Sequence, residues 1–298
     1  MNRFLNNATS KLVLGILFFS LTVTSCKKSS DAGADITTNA AVKLDTINLA
    51  YGTDPSQKID LYLPATRTDA NTKVMVLIHG GAWSAGDKSD FTSLIPTLQS
   101  GLANYAIINI NYRLAAPPST NLWPTQQTDV NAAFDYIVSK ASYFHYNPNK
   151  MAVMGASAGA HLALMKAYHY NSDSRIKAVV DFFGPTDMAD LYNFQTGVQK
   201  QLFELFMGGT PTTNATAYFN ASPLSFVATG VPPTIIFHGT ADAVVPYSQS
   251  VLLNTALENA AVGHQYNEYP GEPHGQFNAT NTADAYSKAI GFTLFNVQ

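Results

Sequence analysis

Cysteine occurs once in these 298 residues, as Cys26, so no intrachain disulfide can staple the fold. Cysteines and histidines are not grouped at metal-ligand spacing, so no zinc site and no other metal is expected. Charge is scarce: 12% of residues are charged and the net charge is −3, with no basic block or stripe. That composition gives no footing for nucleic acid as a partner. Neither G-x-G-x-x-G nor a Walker lysine is present, which removes the usual phosphate-binding turns. No internal repeat is visible. What the chain has in quantity is apolar residues, 46% of the total, enough for one large α/β domain or two smaller ones.

The N-terminal region reads as a targeting segment. Arg3 and Lys11 flank a short polar stretch, followed by the apolar run "LVLGILFFSLTV". The run is shorter than the roughly 20 residues that a spanning helix needs. It ends in Val23-Thr24-Ser25-Cys26, which resembles a bacterial lipobox, in which the cysteine is lipidated and becomes the mature N-terminus. An ordinary secretory signal with an incidental cysteine is the alternative. The small polar residues that follow suit a flexible tether. The expected organisation is a signal peptide over 1–25, a tether over 26–44 and a folded domain over 45–298. The expected location is the bacterial cell envelope, with lipid as the only link to the membrane.

From Leu44 onward, strand-like and helix-like segments alternate in the α/β manner. "KIDLYL" alternates like an edge strand or one arm of a hairpin, and "TINLAYG" is its candidate partner. "KVMVLIHGG", "YAIININ", "KMAVMG", "IKAVVDFFG" and "PTIIFHG" are continuous apolar runs, as strands buried on both faces are. "QTDVNAAFDYIVSKA" has helical spacing, with Val130, Ala133, Phe134, Ile137 and Val138 on one face. "SQSVLLNTALENAA" and the closing "ADAYSKAIGFTLFN" read as helices, and "HQYNEYPG" as a late strand. Several buried strands end in Gly, Ser, Asp or His, where an open parallel sheet places its ligands. Residues 188–229 interrupt the rhythm and are too long for a plain loop. They contain the apolar helix "KQLFELFMG" and read as a cap over the site, with a decorative insertion as the alternative.

Gly155-Ala156-Ser157-Ala158-Gly159 fits G-x-S-x-G between a strand and a helix. A sharp strand-to-helix turn lifts the serine hydroxyl above the sheet, and the close backbone approach demands small neighbours. The new helix also aims free N–H groups at the site. Ser157 is therefore the candidate nucleophile. His79-Gly80-Gly81-Ala82-Trp83 closes an earlier strand, so the amides of Gly81, Ala82 and Ala158 are candidates for an oxyanion hole. His79 is expected to pin that loop. Among the seven histidines, His274 in "GEPHGQF" lies on the loop after the last strand, where the order Ser, acid, His puts the base. His161, one helical turn after Ser157, is expected to pack, and His238 to be structural. Asp242 in "FHGTADAVVP" is the favoured acid. Asp187 is its rival, with a cap-hinge role as the alternative, and Glu272 is too close to His274 in sequence to orient its ring. Trp83, Tyr112 and Trp123 are candidate pocket walls, with a place in the core as the alternative for most of them.

These residues resemble the α/β-hydrolases of the esterase/lipase group related to hormone-sensitive lipase. "HGGAW" brings the chain closest to the branch with bacterial feruloyl and acetyl-xylan-type esterases and kynurenine formamidases. The likeness covers residues 45–298 through "IDLYLP", "HGGAW", "NYRLA", "WPTQQTDVNAAFDYI", "GASAG", "HGTADAVVP" and "PHGQF". It implies a mostly parallel sheet with helices on both faces and a Ser157, Asp242 and His274 triad. The oxyanion hole would lie at Gly81, Ala82 and Ala158. One departure is Ala82, where lipase-like "HGGG" sequences carry a third glycine. The expectation is a cofactor-free serine hydrolase of carboxylic esters, acting on a small or polysaccharide-linked substrate such as acetyl or feruloyl esters of plant polysaccharide. A formamidase or peptidase on the same scaffold is the first alternative. A non-catalytic binding lipoprotein is the second.

Overall fold

A computed structural model of the chain describes residues 39–298. The apolar run, Cys26 and most of the expected tether lie outside the described residues. The folded part starts earlier than residue 45. The Ala40 carbonyl accepts from the Arg67 amide, and the Val42 carbonyl from the Arg67 guanidinium at 2.6 Å. Residues 40–42 are thus held to the domain and are not tether.

Eight strands form one sheet. They are β1 (Leu44–Ala50), β2 (Lys58–Leu63), β3 (Lys73–Ile78), β4 (Tyr105–Ile110), β5 (Met151–Ala156), β6 (Ile176–Phe182), β7 (Thr234–Gly239) and β8 (His264–Tyr269), in the order β1-β2-β4-β3-β5-β6-β7-β8. β1 and β2 form the antiparallel pair that the alternating segments suggested, and β2 also meets β4 antiparallel. From β4 to β8 every neighbour is parallel. Parallel neighbours need crossovers, and helices supply them. In chain order the helices are α1 (Ile95–Gly101), α2 (Thr125–Ser139), α3 (Ala141–Phe144), α4 (Ala158–Tyr168), α5 (Met188–Phe194), α6 (Gly197–Met207), α7 (Ala215–Asn220), α8 (Ser248–Asn259) and α9 (Ala279–Asn296).

The sheet is covered on both faces because its central strands are apolar on both. Met75, Leu77, Met154, Val180 and Phe237 pack with Leu98 of α1 and with Ala289 and Phe292 of α9. The alternate residues Val76, Ile78, Val153, Val179 and Ile236 face the other way and are equally buried. α4 lies against β3, β5 and β6. All of its residues but Lys166 are buried, so its serine end is firmly held. Burying each large apolar side chain contributes about 1.5–3 kcal/mol. The "NYRLA" segment has a clear role here. The Arg113 guanidinium grips the fully buried Asp129 carboxylate of α2, with its closest contact at 2.6 Å, and fixes the chain after β4.

One buried group is out of balance. Asp181, near the end of β6, is fully buried, and one carboxyl oxygen accepts from the Gly184 amide at 2.8 Å while the other has no partner. Burial pushes its pKa up to about 7, against a small lowering from the Gly184 hydrogen bond. The folded state therefore keeps a proton that the unfolded chain releases above its ordinary value of 3.8. Asp181's contribution to stability is complete below that value and is lost as the pH rises through about 7. The melting-temperature gap between Asp181→Asn and wild type should accordingly widen in favour of the variant from pH 5 to pH 8. Thermal unfolding at the two pH values checks this, and an unchanged gap would show that the fold does not raise the pKa of Asp181.

Candidate active site

The site is built where β5 turns into α4. Ser157 caps α4 with φ 54° and ψ −122°, a backbone region that costs a non-glycine residue about 1–3 kcal/mol. The turn is fixed on both sides. The Ser157 amide donates to the Phe182 carbonyl at 2.9 Å, and the Ser157 carbonyl accepts from the His161 amide at 3.0 Å. The glycines of the motif are needed for clearance. A Cβ on Gly155 would lie 2.3 Å from the Gly159 carbonyl oxygen, and one on Gly159 would lie 2.0 Å from that of Ile78.

The loop after β3 is folded back toward this turn. Gly81 has φ 106°, and a Cβ there would sit 2.2 Å from the Ala85 carbonyl oxygen. Ala82 and Trp83 follow with φ 50° and 59°. The Gly81 carbonyl accepts from the Ser84 and Ala85 amides, whereas the Gly81 and Ala82 amides have no acceptor among the described residues. Ala158 is the first residue of α4, where an amide has no intrahelical acceptor. His79 steadies the loop as expected: its Nδ1 lies 2.7 Å from the Gly80 carbonyl, and its ring stacks on Tyr112 at 4.3 Å.

Ser157, His274 and Asp242 come together from three separate parts of the chain. His274 Nε2 lies 3.0 Å from Ser157 Oγ, and His274 Nδ1 lies 2.6 Å from Asp242 Oδ2. The Asp242 side chain has no exposure, and its Oδ1 accepts from the Val244 and Val245 amides at 2.8 and 2.9 Å. Burial alone would raise its pKa. Hydrogen bonds from His238 and His274, the charge of a protonated His274 and the Val244 amide outweigh that and hold it well below the usual carboxylate range. Asp242 is thus a permanent anion beside His274.

The rival acids have other duties. Asp187 caps α5, accepting from the Ala189 and Asp190 amides, at the start of the expected cap. Glu272 is engaged with Asn278 and Asn281 at the start of α9, which ties down the loop that carries His274. Two contacts were not foreseen. His238 Nε2 approaches Asp242 Oδ2 at 3.2 Å, so the acid serves two imidazoles. Phe183 sets its ring edgewise to that of His274, with centroids 4.8 Å apart. The "FHG" and "DFFG" strand ends carried a signal for both, since they point at the same end of the sheet.

A cavity of about 230 Å³ opens at Ser157. Trp83, Leu191, Leu202, Phe203, Phe206 and Val245 wall it, Gln195 and Gln199 supply amides, and no charged side chain lines it. α5 and α6 of the 188–229 insertion provide much of this wall. Trp83 is where it was expected, stacked on Phe206 at 5.2 Å. Two expected pocket residues are elsewhere. Tyr112 is buried behind the loop, donating its hydroxyl to the His79 carbonyl, because its ring is the platform for His79. Trp123 packs against His161 and Phe206 from behind and lines a separate surface hollow. Among the described residues no group of three or more His, Cys, Asp or Glu could hold a metal ion, and no helix is long and apolar enough to cross a membrane.

Comparison with known proteins places this geometry in a family. Residues 59–257 match the sequence profile of the BD-FAE family. Two Mycobacterium tuberculosis proteins are similar. Esterase LipC is 28% identical over 82% of this chain and 63% of its own length. The probable carboxylic ester hydrolase LipM is 30% identical over 59% of this chain and 43% of its own. The chain therefore spans roughly half the length of such relatives. Among solved structures, a truncated form of a carbohydrate esterase from gut microbiota superposes with a TM-score of 0.73 at 25% identity, covering 87% of this chain and 98% of the other. The profile match over two thirds of the sequence shows that the chain belongs to the BD-FAE family, and the superposition shows that it has the α/β-hydrolase fold of the esterases.

Proposed function

We propose that the chain is a serine hydrolase of carboxylic esters, with Ser157 as nucleophile, His274 as general base and Asp242 as the acid that orients it. The observation that carries this reading is the continuous relay from Asp242 through His274 to Ser157, ending at an uncharged apolar cavity. An ester carbonyl in the cavity meets Ser157 Oγ, whose proton passes to His274 Nε2 as the C–O bond forms. Asp242 keeps the proton of the neutral imidazole on Nδ1 and stabilises the imidazolium that results. The oxyanion is taken by the free amides of Gly81, Ala82 and Ala158, which are in place beforehand and need little reorganisation. His274 then gives its proton to the leaving alcohol. Water, deprotonated by the same histidine, releases the acyl group and restores Ser157.

The cavity favours a neutral acyl group, since an ionised one would lose its hydration without a partner. The similarity to a carbohydrate esterase supports acetyl or feruloyl esters of plant polysaccharide as the natural substrate. The apolar run ending at Cys26 supports attachment of the mature protein to an envelope membrane by lipid.

Ser157→Ala should lower kcat for a short p-nitrophenyl ester by about 10⁴-fold or more. Gly81→Ala, whose Cβ has no room, should cost about 10²–10³-fold with a smaller change in KM. If neither variant loses activity, the hydrolytic reading of this site is wrong. Acetylated or feruloylated xylan should be deacylated with release of acetate or ferulate. Good turnover of simple esters with none of the polysaccharide would remove the carbohydrate assignment alone, and faster turnover of N-formylkynurenine than of esters would favour an amidase. In cells, a clickable fatty acid should mark the wild-type chain and leave Cys26→Ser unmarked. Equal marking would rule out Cys26 as the lipid site.

A further inference from the structure

His161 is a fully buried histidine that the proposed chemistry does not use. It stands one helical turn after Ser157, and its two ring nitrogens make two different bonds. The Trp83 indole N–H donates to Nδ1 at 3.2 Å, and Nε2 lies 2.7 Å from the Ala221 carbonyl oxygen. These partners fix the tautomer without ambiguity. An indole N–H can only donate, so Nδ1 accepts, and a carbonyl can only accept, so Nε2 carries the proton. One neutral ring therefore joins three elements: the helix that begins at the nucleophile, the loop that carries the free Ala82 amide, and the residue that follows α7 of the cap.

We infer that His161 is a positioning residue, which sets the Trp83 loop against Ser157 through Nδ1 and sets the cap against both through Nε2–H. The two bonds reach different parts of the site. Trp83 is covalently next to Ala82, and its backbone is already in the left-handed region at φ 59°, so the indole bond helps hold a conformation the residue would not choose alone. The Ala221 bond holds the insertion whose α6 places Phe203 and Phe206 against the Trp83 ring, at 5.9 and 5.2 Å. Trp123 closes the back of the same cluster, 5.3 Å from the His161 ring. Losing the first bond should impair the chemical step. Losing the second should loosen the acyl wall. This inference rests on the ester-hydrolase reading, in which Ala82 meets the oxyanion.

Two side chains separate the functions. Asn places an acceptor near the position of Nδ1 and lacks the distal donor. Gln places an amide donor near Nε2 and lacks the proximal acceptor. His161→Asn should keep kcat within about threefold of wild type and raise KM for an apolar acyl ester. His161→Gln should keep KM and lower kcat by about tenfold, as expected when a buried indole N–H loses its acceptor. Trp83→Phe, which deletes that N–H, should lower kcat itself, and adding His161→Gln to it should lower kcat little further. Circular dichroism and melting temperature establish that each variant is folded. If His161→Asn and His161→Gln change kcat and KM alike, or if the Trp83→Phe and His161→Gln losses simply multiply, His161 is only a packing residue and the inference falls. Reaction with a fluorophosphonate separates this from failure of the underlying reading: an unlabelled wild type overturns the hydrolase assignment and this inference with it, whereas a labelled wild type with indistinguishable variants overturns the His161 inference alone.

Discussion

Where α4 begins, its backbone is pressed against the end of β3 with no room for a single added carbon. A Cβ on Gly159 would stand 2.0 Å from the Ile78 oxygen, and one on Gly80 would stand 2.8 Å from that of Ala156. This contact puts the serine turn and the "HGGAW" loop in one place, and the rest of the site is arranged around it. It also accounts for the strained Ser157. The residue keeps φ 54° because the Phe182 carbonyl, the His161 amide and a helix buried in all but Lys166 leave the turn no alternative.

The polar groups around that contact divide the work by burial. Asp242 is buried but saturated: two backbone amides meet one oxygen and two imidazoles the other, so its charge is kept. Asp181 is buried with one oxygen orphaned, and its carboxyl is pushed toward the neutral form. Burial likewise pushes the His161 imidazole down to about 4, only partly offset by its bond to Ala221, and leaves it a neutral bridge. The cavity wall carries no charge at all. Among the described residues of the relay and the cavity wall, the Asp242 carboxylate is the one permanent charge, and it sits beside His274, where a positive charge appears during the proposed reaction.

Much of this was legible in the sequence, and for identifiable reasons. Short continuous apolar runs that alternate with helical segments fit central parallel strands, and their polar last residues mark one end of the sheet. The spacing of Gly155 and Gly159 about Ser157 has few other uses, and "HGGAW" supplies the loop that Gly159 must accommodate. The order Ser157, Asp242, His274 then follows the chain. The pocket was read less well. An aromatic residue in a motif does not disclose which face of a loop it takes, and Tyr112 and Trp123 support the loop and the His161 cluster from behind. His161 and His238 were read as packing and structure because their roles depend on which ring nitrogen meets which partner, information that spacing does not contain. The fold's start at residues 40–42 was missed because it depends on the distant Arg67.

The central claim is that Ser157 is activated by His274 as a nucleophile. Incubating the protein with an organophosphonate ester, followed by intact-mass measurement and peptide mapping, tests it most directly. The account predicts a single adduct on the peptide containing Ser157, absent in Ser157→Ala and much slower to form in His274→Ala. An adduct on another residue, or equal labelling of the wild type and Ser157→Ala, would contradict it.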